Sequence, residues 1–337
     1  MAHEFFMHRC IERAKETQGR VGNGALVWSV LVREGKIIAE AHHRAFGLPH
    51  AERSLLDGIE QKISSSDILY VNMEPCCHYG KTPPCTDIII EKGIKHVVYG
   101  MRDPDQRVAG KGIELLKAAG IEAVGPVLLP ECERLNRGFV SVRNKGRPWI
   151  TLKRAQMRDG TTANTGGARL MITSQEQNVW SHTFLRSTHD AILVGVRTVT
   201  TDDPVLDARF SSFDYAQDDT QIRYQPSRIV LDPHLRIPMR AKVVSDSHTD
   251  RTMIVTSHVA NEKCKEALRM RGVRVLEVAM DSDQLDWKDL WRQLITPSND
   301  YHGLTSILVE GGAKTWDIFK KAGMVDEEVI LTRCDPS

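Results

Sequence analysis

The stretch MEPCCHYGKTPPCTDIIIEKGIKHVVYG (73–100) decides the fold of the first half of the chain. It opens at the end of an apolar run, ILYVNM (68–73), that reads as a buried strand, and passes through a polar loop in which Cys76, Cys77 and Cys85 stand beside Pro75, Pro83 and Pro84. A helix over Thr86 to Lys92 and a strand over HVVYG (96–100) follow. Working upstream, a helix runs from His50 to about Gln61, and LVWSVLV (26–32) with KIIAEA (36–41) form a strand pair turned by Arg33-Glu34-Gly35. An opening helix covers His3 to Thr17. Downstream, a helix from Lys111 to Ala119 stops at Gly120. Alternating helix and strand periods of this kind are the signature of an α/β layer structure.

The segment RNKGRP (143–148) concentrates charge, Gly and Pro with nothing apolar to bury, and marks a boundary between a first domain, 1–145, and a second, 149–337. The second domain also alternates. Strands are expected at WITLKRA (149–155), AILVGV (191–196), RIVLD (228–232), TMIVT (252–256), VRVLEV (273–278) and SILVE (306–310), with helices over Gln175 to Arg186, Asn261 to Met270 and Ala313 to Ala322. The polar stretch 211–227 reads as an exposed loop.

The 337 residues carry 45 Lys+Arg against 44 Asp+Glu, a net charge of +1, which argues against a protein that wraps a nucleic acid backbone. A nucleic acid-editing enzyme would also need stacking aromatics, and these are only 6% of the chain. MAHEFFMHRC lacks the apolar core of a signal peptide, and no stretch nears the roughly 18 apolar residues of a membrane span, so a cytoplasmic protein is expected. Seven scattered cysteines are not a disulfide framework. Cys10, Cys132, Cys264 and Cys334 read as unpaired thiols, and only the group in the loop invites a metal.

Three expected helix starts, at His50, after Cys76 and at Cys85, point at one place. One His and two thiolates leave a tetrahedral Zn2+ an open fourth position for water, the requirement of a catalytic site. Helix N-termini favour the thiolate, the form that binds metal. Glu52, two residues past His50, is not needed as a ligand and is free to act on the water. A His-x-Glu followed by Pro-Cys is the signature of zinc deaminases, with the Glu as proton shuttle. The competing reading is a structural zinc knuckle with Cys77 as a fourth ligand; Cys77 otherwise packs as a small hydrophobe.

Cys76 and Cys85 stand nine positions apart, not in the tight Cys-x-x-Cys of the nucleic acid deaminases. With HAE (50–52), EPC (74–76), HYGKTPPC (78–85), DP (103–104), VAGKG (108–112) and AGI (119–121) in order, residues 73–123 closely resemble the deaminase half of the bifunctional riboflavin biosynthesis deaminase–reductases. The resemblance implies a cytidine deaminase-like fold for the first domain and a small-molecule substrate, diaminohydroxyphosphoribosylaminopyrimidine, that loses a ring amino group. It implies no nucleic acid or membrane partner, and assembly as a homo-oligomer. Asn23, His43 and Lys81 correspond to positions that the family uses around substrate, although Lys81 also fits a solvated loop and His43 a strand-end surface residue. The family's Asn-Pro-x-Val-Gly is replaced here by Asn23-Gly24-Ala25-Leu26-Val27-Trp28.

The second domain resembles the reductase half of the same family, with a dihydrofolate reductase-like fold that uses NADPH to reduce the ribose to ribityl. The matching pieces are TLKRAQMRDG (151–160), ITS (172–174), LRSTHDAILVGVRTVTTDDPVLDAR (185–209), RIVLD (228–232) and LVEGGAKTW (308–316). By position, Ala155, Thr173, Thr198, Asp202, Gly311 and Gly312 are implied as NADPH contacts, and Arg186, Leu206, Arg209 and Glu310 as substrate contacts. A strand–Gly311-Gly312–helix turn suits a phosphate and equally suits a plain tight connection. Met157-Arg158 stand where the family has Ser-Leu, Arg169 where it has Ser, and Met171 where it has Trp. The chain also stops at Ser337, soon after the strand VILTRC, where the family continues. The expectation is a bifunctional deaminase and reductase whose reductase is weakened by these departures, with a deaminase carrying a non-catalytic second domain as the alternative.

Overall fold

The computed structural model describes residues 2–106, 108–160, 173–209, 224–281 and 284–333. Two compact units divide the chain, Met1–Gly146 with Pro297–Gly303 and Arg147–Thr296 with Leu304–Ser337. The short segment 297–303, which the sequence places in the second domain, therefore clusters with the first unit. His302 anchors it there: its carbonyl accepts from the Asn23 N–H at 2.9 Å, and its ring stacks on Phe46.

The first unit is a five-stranded sheet, order β2-β1-β3-β4-β5, built from β1 Trp28–Arg33, β2 Lys36–His42, β3 Ile68–Val71, β4 His96–Tyr99 and β5 Glu122–Val124. β1 is antiparallel to β2 and β3, while β3, β4 and β5 run parallel. The β1–β2 turn needs two left-handed residues, and Glu34 (φ 49°) and Gly35 (φ 74°) supply them, which gives the mirror-image turn that matches strand twist. One sheet face is covered by α1 Ala2–Ala14, whose Phe6, Met7, Cys10 and Ile11 pack with Val30, Tyr70 and Val98. The other is covered by α2 Ala51–Gly58, α3 Cys85–Glu91 and α4 Lys111–Ala118, through Leu55, Leu56, Ile88, Ile89 and Leu116 against Leu31, Leu69 and Val97. Each such fully buried Leu or Ile contributes about 1.5–3 kcal/mol. That packing fixes α2 and α3, which carry the metal candidates.

Two further helices, α5 Leu129–Leu135 and α6 Arg137–Lys145, were not legible as elements. Arg143 and Lys145 form the basic last turn of α6, and Gly146 closes it at φ 64°. Cations and a left-handed glycine are favoured at a helix C-terminus, and the same letters read as a charged linker. The unit division nevertheless falls at the end of this helix.

The second unit is a seven-stranded sheet, order β10-β9-β8-β7-β13-β6-β14, in which every pair is parallel. Its strands are β6 Trp149–Gln156, β7 Ala191–Gly195, β8 Ser227–Leu231, β9 Thr252–Ser257, β10 Arg274–Val278, β13 Ser306–Val309 and β14 Glu327–Thr332, with a small pair, β11 Met280–Asp281 and β12 Gln284–Leu285, beside them. Central strands of a parallel sheet are covered on both faces, which is why AILVG and SILV are continuous apolar runs. The helices are α7 Gln175–Trp180, α8 Val196–Asp202, α9 Glu262–Arg269, α10 Trp287–Ile295 and α11 Ala313–Lys321. The helix expected over Gln175 to Arg186 is interrupted: α7 gives way to a π turn over Ser181–Leu185 and a 3-10 turn over Arg186–Thr188. The substituted segment 168–172, most of the stretch 211–227 and Cys334 lie outside the described residues. Among those described, no helix is long and apolar enough to cross a membrane.

Candidate active sites

His50 is the N-cap of α2, in extended conformation, and Pro84 holds the same position before α3, so that Cys85 is the first helical residue. The Cys85 N–H donates to Cys76 Sγ at 3.3 Å and the Thr86 N–H to the Cys76 carbonyl at 3.1 Å, tying the loop to the helix start. His50 Nδ1 lies 3.4 Å from Cys76 Sγ and 3.6 Å from Cys85 Sγ, and the three donor atoms all fall within 4.8 Å of one another. A tetrahedral zinc with nitrogen at ~2.0 Å and sulfur at ~2.3 Å requires N···S edges of roughly 3.5 Å. The donor set and its spacing therefore fit zinc. Cys77 is not in this group among the described residues, which removes the fourth ligand that a structural knuckle needs.

Of the two thiols facing His50, Cys76 is the more acidic. The hydrogen bond from Cys85 outweighs burial and, with His50, holds Cys76 at about 4. The Cys85 thiol is pushed well up by the same hydrogen bond and by its own burial. Glu52 is buried, hydrogen-bonded to Cys85, and raised to about 7 by burial first and the Cys76 charge second, with His50 partly offsetting. A carboxyl near neutrality can both take and return a proton at working pH.

A cavity of about 290 Å³ opens on this group. Asn23, His43 and Lys81 all line it with His50, Glu52 and Cys76, so the structure gathers the whole set picked from the first domain. His43 is buried rather than at the surface, and its Nδ1 donates to the Pro49 carbonyl at 3.1 Å. Lys81 is exposed and holds its ammonium over the ring of Phe46, which also lines the cavity, at 3.6 Å.

Sequence reasoning missed Glu74. Its buried carboxylate accepts from the backbone N–H groups of Asp103, Gly110, Gly112 and Ile113 at 3.1, 2.9, 3.0 and 3.3 Å. It thereby caps α4 and fixes the 103–113 segment beside Pro75-Cys76. Gly112 is required there, because a Cβ would stand 2.1 Å from the Pro75 carbonyl oxygen. The residues EPC and VAGKG are thus physically one joint, a relation that no periodicity reveals.

In the second unit the candidates divide into two groups. Thr198 and Asp202 on α8 and Gly312 at the start of α11 line a cavity of about 550 Å³, together with Arg197, Arg236 and Lys314. Ala155, Thr173 and Gly311 are outside that lining: Ala155 pairs with Leu331, Thr173 Oγ1 donates to Asn178 at 2.8 Å, and Gly311 packs against Thr315. Arg186, Glu310 and Arg209 form the second group. Arg186 donates to both oxygens of Glu310 and also to the Asp207 carbonyl at 2.8 Å. Leu206 adjoins them, but its side chain is buried in the core beside Val199 and Val230, at φ 55°, so it has only backbone to offer a substrate.

Comparison with known proteins decides which chemistry these two sites belong to. Residues 1–101 match the cytidine and deoxycytidylate deaminase zinc-binding region, and residues 148–333 match the RibD C-terminal domain. The riboflavin biosynthesis protein RibD of Aquifex aeolicus is 38% identical over 97% of this chain and 85% of its own length, and that of Escherichia coli 33% identical over 98% and 87%. The chain belongs to the RibD family. It is a riboflavin biosynthesis enzyme with a zinc-binding deaminase domain followed by a reductase domain. Among solved structures, Acinetobacter baumannii RibD superposes with a TM-score of 0.81 at 29% identity, covering 100% of this chain and 88% of that one. The diaminohydroxyphosphoribosylaminopyrimidine deaminase/5-amino-6-(5-phosphoribosylamino)uracil reductase of Thermotoga maritima gives 0.78 at 33% identity, covering 98% and 86%. Both halves of RibD are matched, which supports the bifunctional reading.

Proposed function

We propose that the first unit deaminates diaminohydroxyphosphoribosylaminopyrimidine, with zinc held by His50, Cys76 and Cys85 and with Glu52 as the proton carrier. The single observation that supports it best is the triangle of His50 Nδ1, Cys76 Sγ and Cys85 Sγ with buried Glu52 bonded against it. Zinc held by these three residues would supply the Lewis acidity that makes water acidic near neutral pH. The Glu52 carboxylate accepts the proton given up by the attacking water and delivers it to the departing amine, so that the C–N bond is exchanged for C–O and ammonia leaves. Asn23, His43 and Lys81 orient the pyrimidine and its phosphoribosyl group from the cavity wall.

For the second unit, the proposed cofactor is NADPH, seated in the cavity at Thr198, Asp202 and Gly312. Three observations support it: the open N-terminus of α11 at Gly312, the cations Arg197, Arg236 and Lys314 around it, and the room left at Gly312, where a Cβ would meet nothing closer than Thr198 at 4.0 Å. Backbone N–H groups at a helix start together with cations suit a dinucleotide's phosphates. Ala155, Thr173 and Gly311, outside that lining, are proposed as further cofactor contacts on the family resemblance alone, while Arg186, Arg209, Glu310 and the Leu206 backbone hold the sugar phosphate to be reduced. Self-association completes the proposal and is read by sedimentation. Incubation with the phosphoribosyl pyrimidine tests both halves: ammonia is released without NADPH, and NADPH absorbance then falls only after deamination. Ammonia without any later NADPH oxidation contradicts the reductase assignment.

A further inference from the structure

The 206–209 turn is held one backbone group at a time. Arg186 Nη1 donates to the Asp207 carbonyl at 2.8 Å, and the Gln225 amide brackets Ala208, accepting its N–H at 3.0 Å and donating to its carbonyl at 2.8 Å. The last grip is His182, whose Nδ1 receives the Arg209 N–H at 2.9 Å. His182 sits in the π turn Ser181–Leu185, four residues before Arg186, and is buried. Such turns recur where a helix must aim side chains at a functional site. Here the π turn and the 3-10 turn that follows it present His182 and Arg186 to one loop, at Arg209 and Asp207.

A backbone N–H can only donate, so Nδ1 is the acceptor and the ring proton of the neutral imidazole lies on Nε2. Arg209 Nη2 stands 3.3 Å from that Nε2. Two donors facing each other at that distance are satisfied when one anionic oxygen accepts from both. The ring stays neutral, since burial, Arg186 and Arg209 hold His182 down at about 4, and a second proton would turn Nδ1 against the Arg209 N–H.

We propose that His182 both positions Arg209 and touches substrate in the reductase: it fixes the Arg209 backbone and pairs Nε2–H with the Arg209 guanidinium toward an anionic oxygen of the substrate, its phosphate. This rests on the reading of Arg209 as a substrate contact. The test compares full-length His182→Ala, His182→Asn and Arg209→Ala with the parent, using the deaminated phosphoribosyl substrate and following NADPH oxidation, with ammonia release from the undeaminated substrate in a separate assay as the control. His182→Ala is expected to raise KM about tenfold or more with kcat within about threefold, as Arg209→Ala does. His182→Asn, which keeps an acceptor and a donor, recovers most of the loss. Inorganic phosphate should also inhibit the His182→Ala reductase more weakly than the parent. Unchanged KM in both His182 variants, beside a raised KM in Arg209→Ala, overturns the role of His182 alone. Unchanged KM in Arg209→Ala overturns the underlying reading and the proposal with it. A fall in kcat at constant KM, or no difference between Asn and Ala, also contradicts positioning through Arg209.

Discussion

Arg186 meets Glu310 side by side inside the second unit, Nε donating to Oε1 at 3.1 Å and Nη2 to Oε2 at 2.6 Å. Burial alone would raise the Glu310 carboxyl, but Arg186 and then Lys153 hold it down at about 2 against an ordinary 4.5. A depressed carboxylate contributes stability that is fully present above its unfolded pKa and is lost as pH falls through the folded one. The window is therefore pH 4.5 down to about 2, and the linked stabilisation is on the order of 3 kcal/mol. Glu310→Gln strands a buried guanidinium, so the variant should be less stable at pH 6 and should lose less on further acidification. Urea unfolding of parent and variant at pH 6 and pH 3 checks this. An equal loss in both proteins places the acid sensitivity elsewhere.

Thr315 packs against two glycine turns. A Cβ at Gly311 would stand 2.4 Å from the Thr315 Cβ, and one at Gly195 would stand 2.7 Å from its Oγ1. Gly311→Ala should therefore cost about 1–3 kcal/mol by overpacking and weaken NADPH binding, while ammonia release is unaffected. Thermal melting and fluorescence titration with NADPH read the two effects. A variant that melts with the parent shows that the close approach is absent.

Much of this architecture was legible because its elements carry strong local signals. The alternation around β1 and β3, the Glu34-Gly35 turn and the apolar runs of β7 and β13 follow from strand period and burial. The candidate metal group was legible because one His and two Cys, residue types of one chemistry, stood at two helix starts and in the loop after a strand. What escaped was non-local. Glu74 works through four backbone groups some 30 to 40 positions downstream, and α6 ends in cations and glycine that also describe a linker. The π turn at His182 leaves no trace in propensity, and the Arg186–Glu310 pair is 124 positions apart.

Cys77 stands beside Cys76 but, among the described residues, outside the group of His50, Cys76 and Cys85. Cys77→Ser should keep one zinc per chain by elemental analysis, whereas Cys85→Ser should lose it, because Cys85 supplies both a donor and the start of α3. Complete loss of zinc in Cys77→Ser returns the site to the structural reading.

The central claim is that Glu52 carries the proton at a zinc site built by His50, Cys76 and Cys85. Glu52→Gln is nearly isosteric and leaves all three donors in place, so the measurement is ammonia release by zinc-loaded Glu52→Gln beside the parent, with metal content and melting recorded on the same samples. Parental zinc and melting are expected, with turnover lowered about 10²- to 10⁴-fold; parental turnover in the fully zinc-loaded variant rules Glu52 out as the proton carrier.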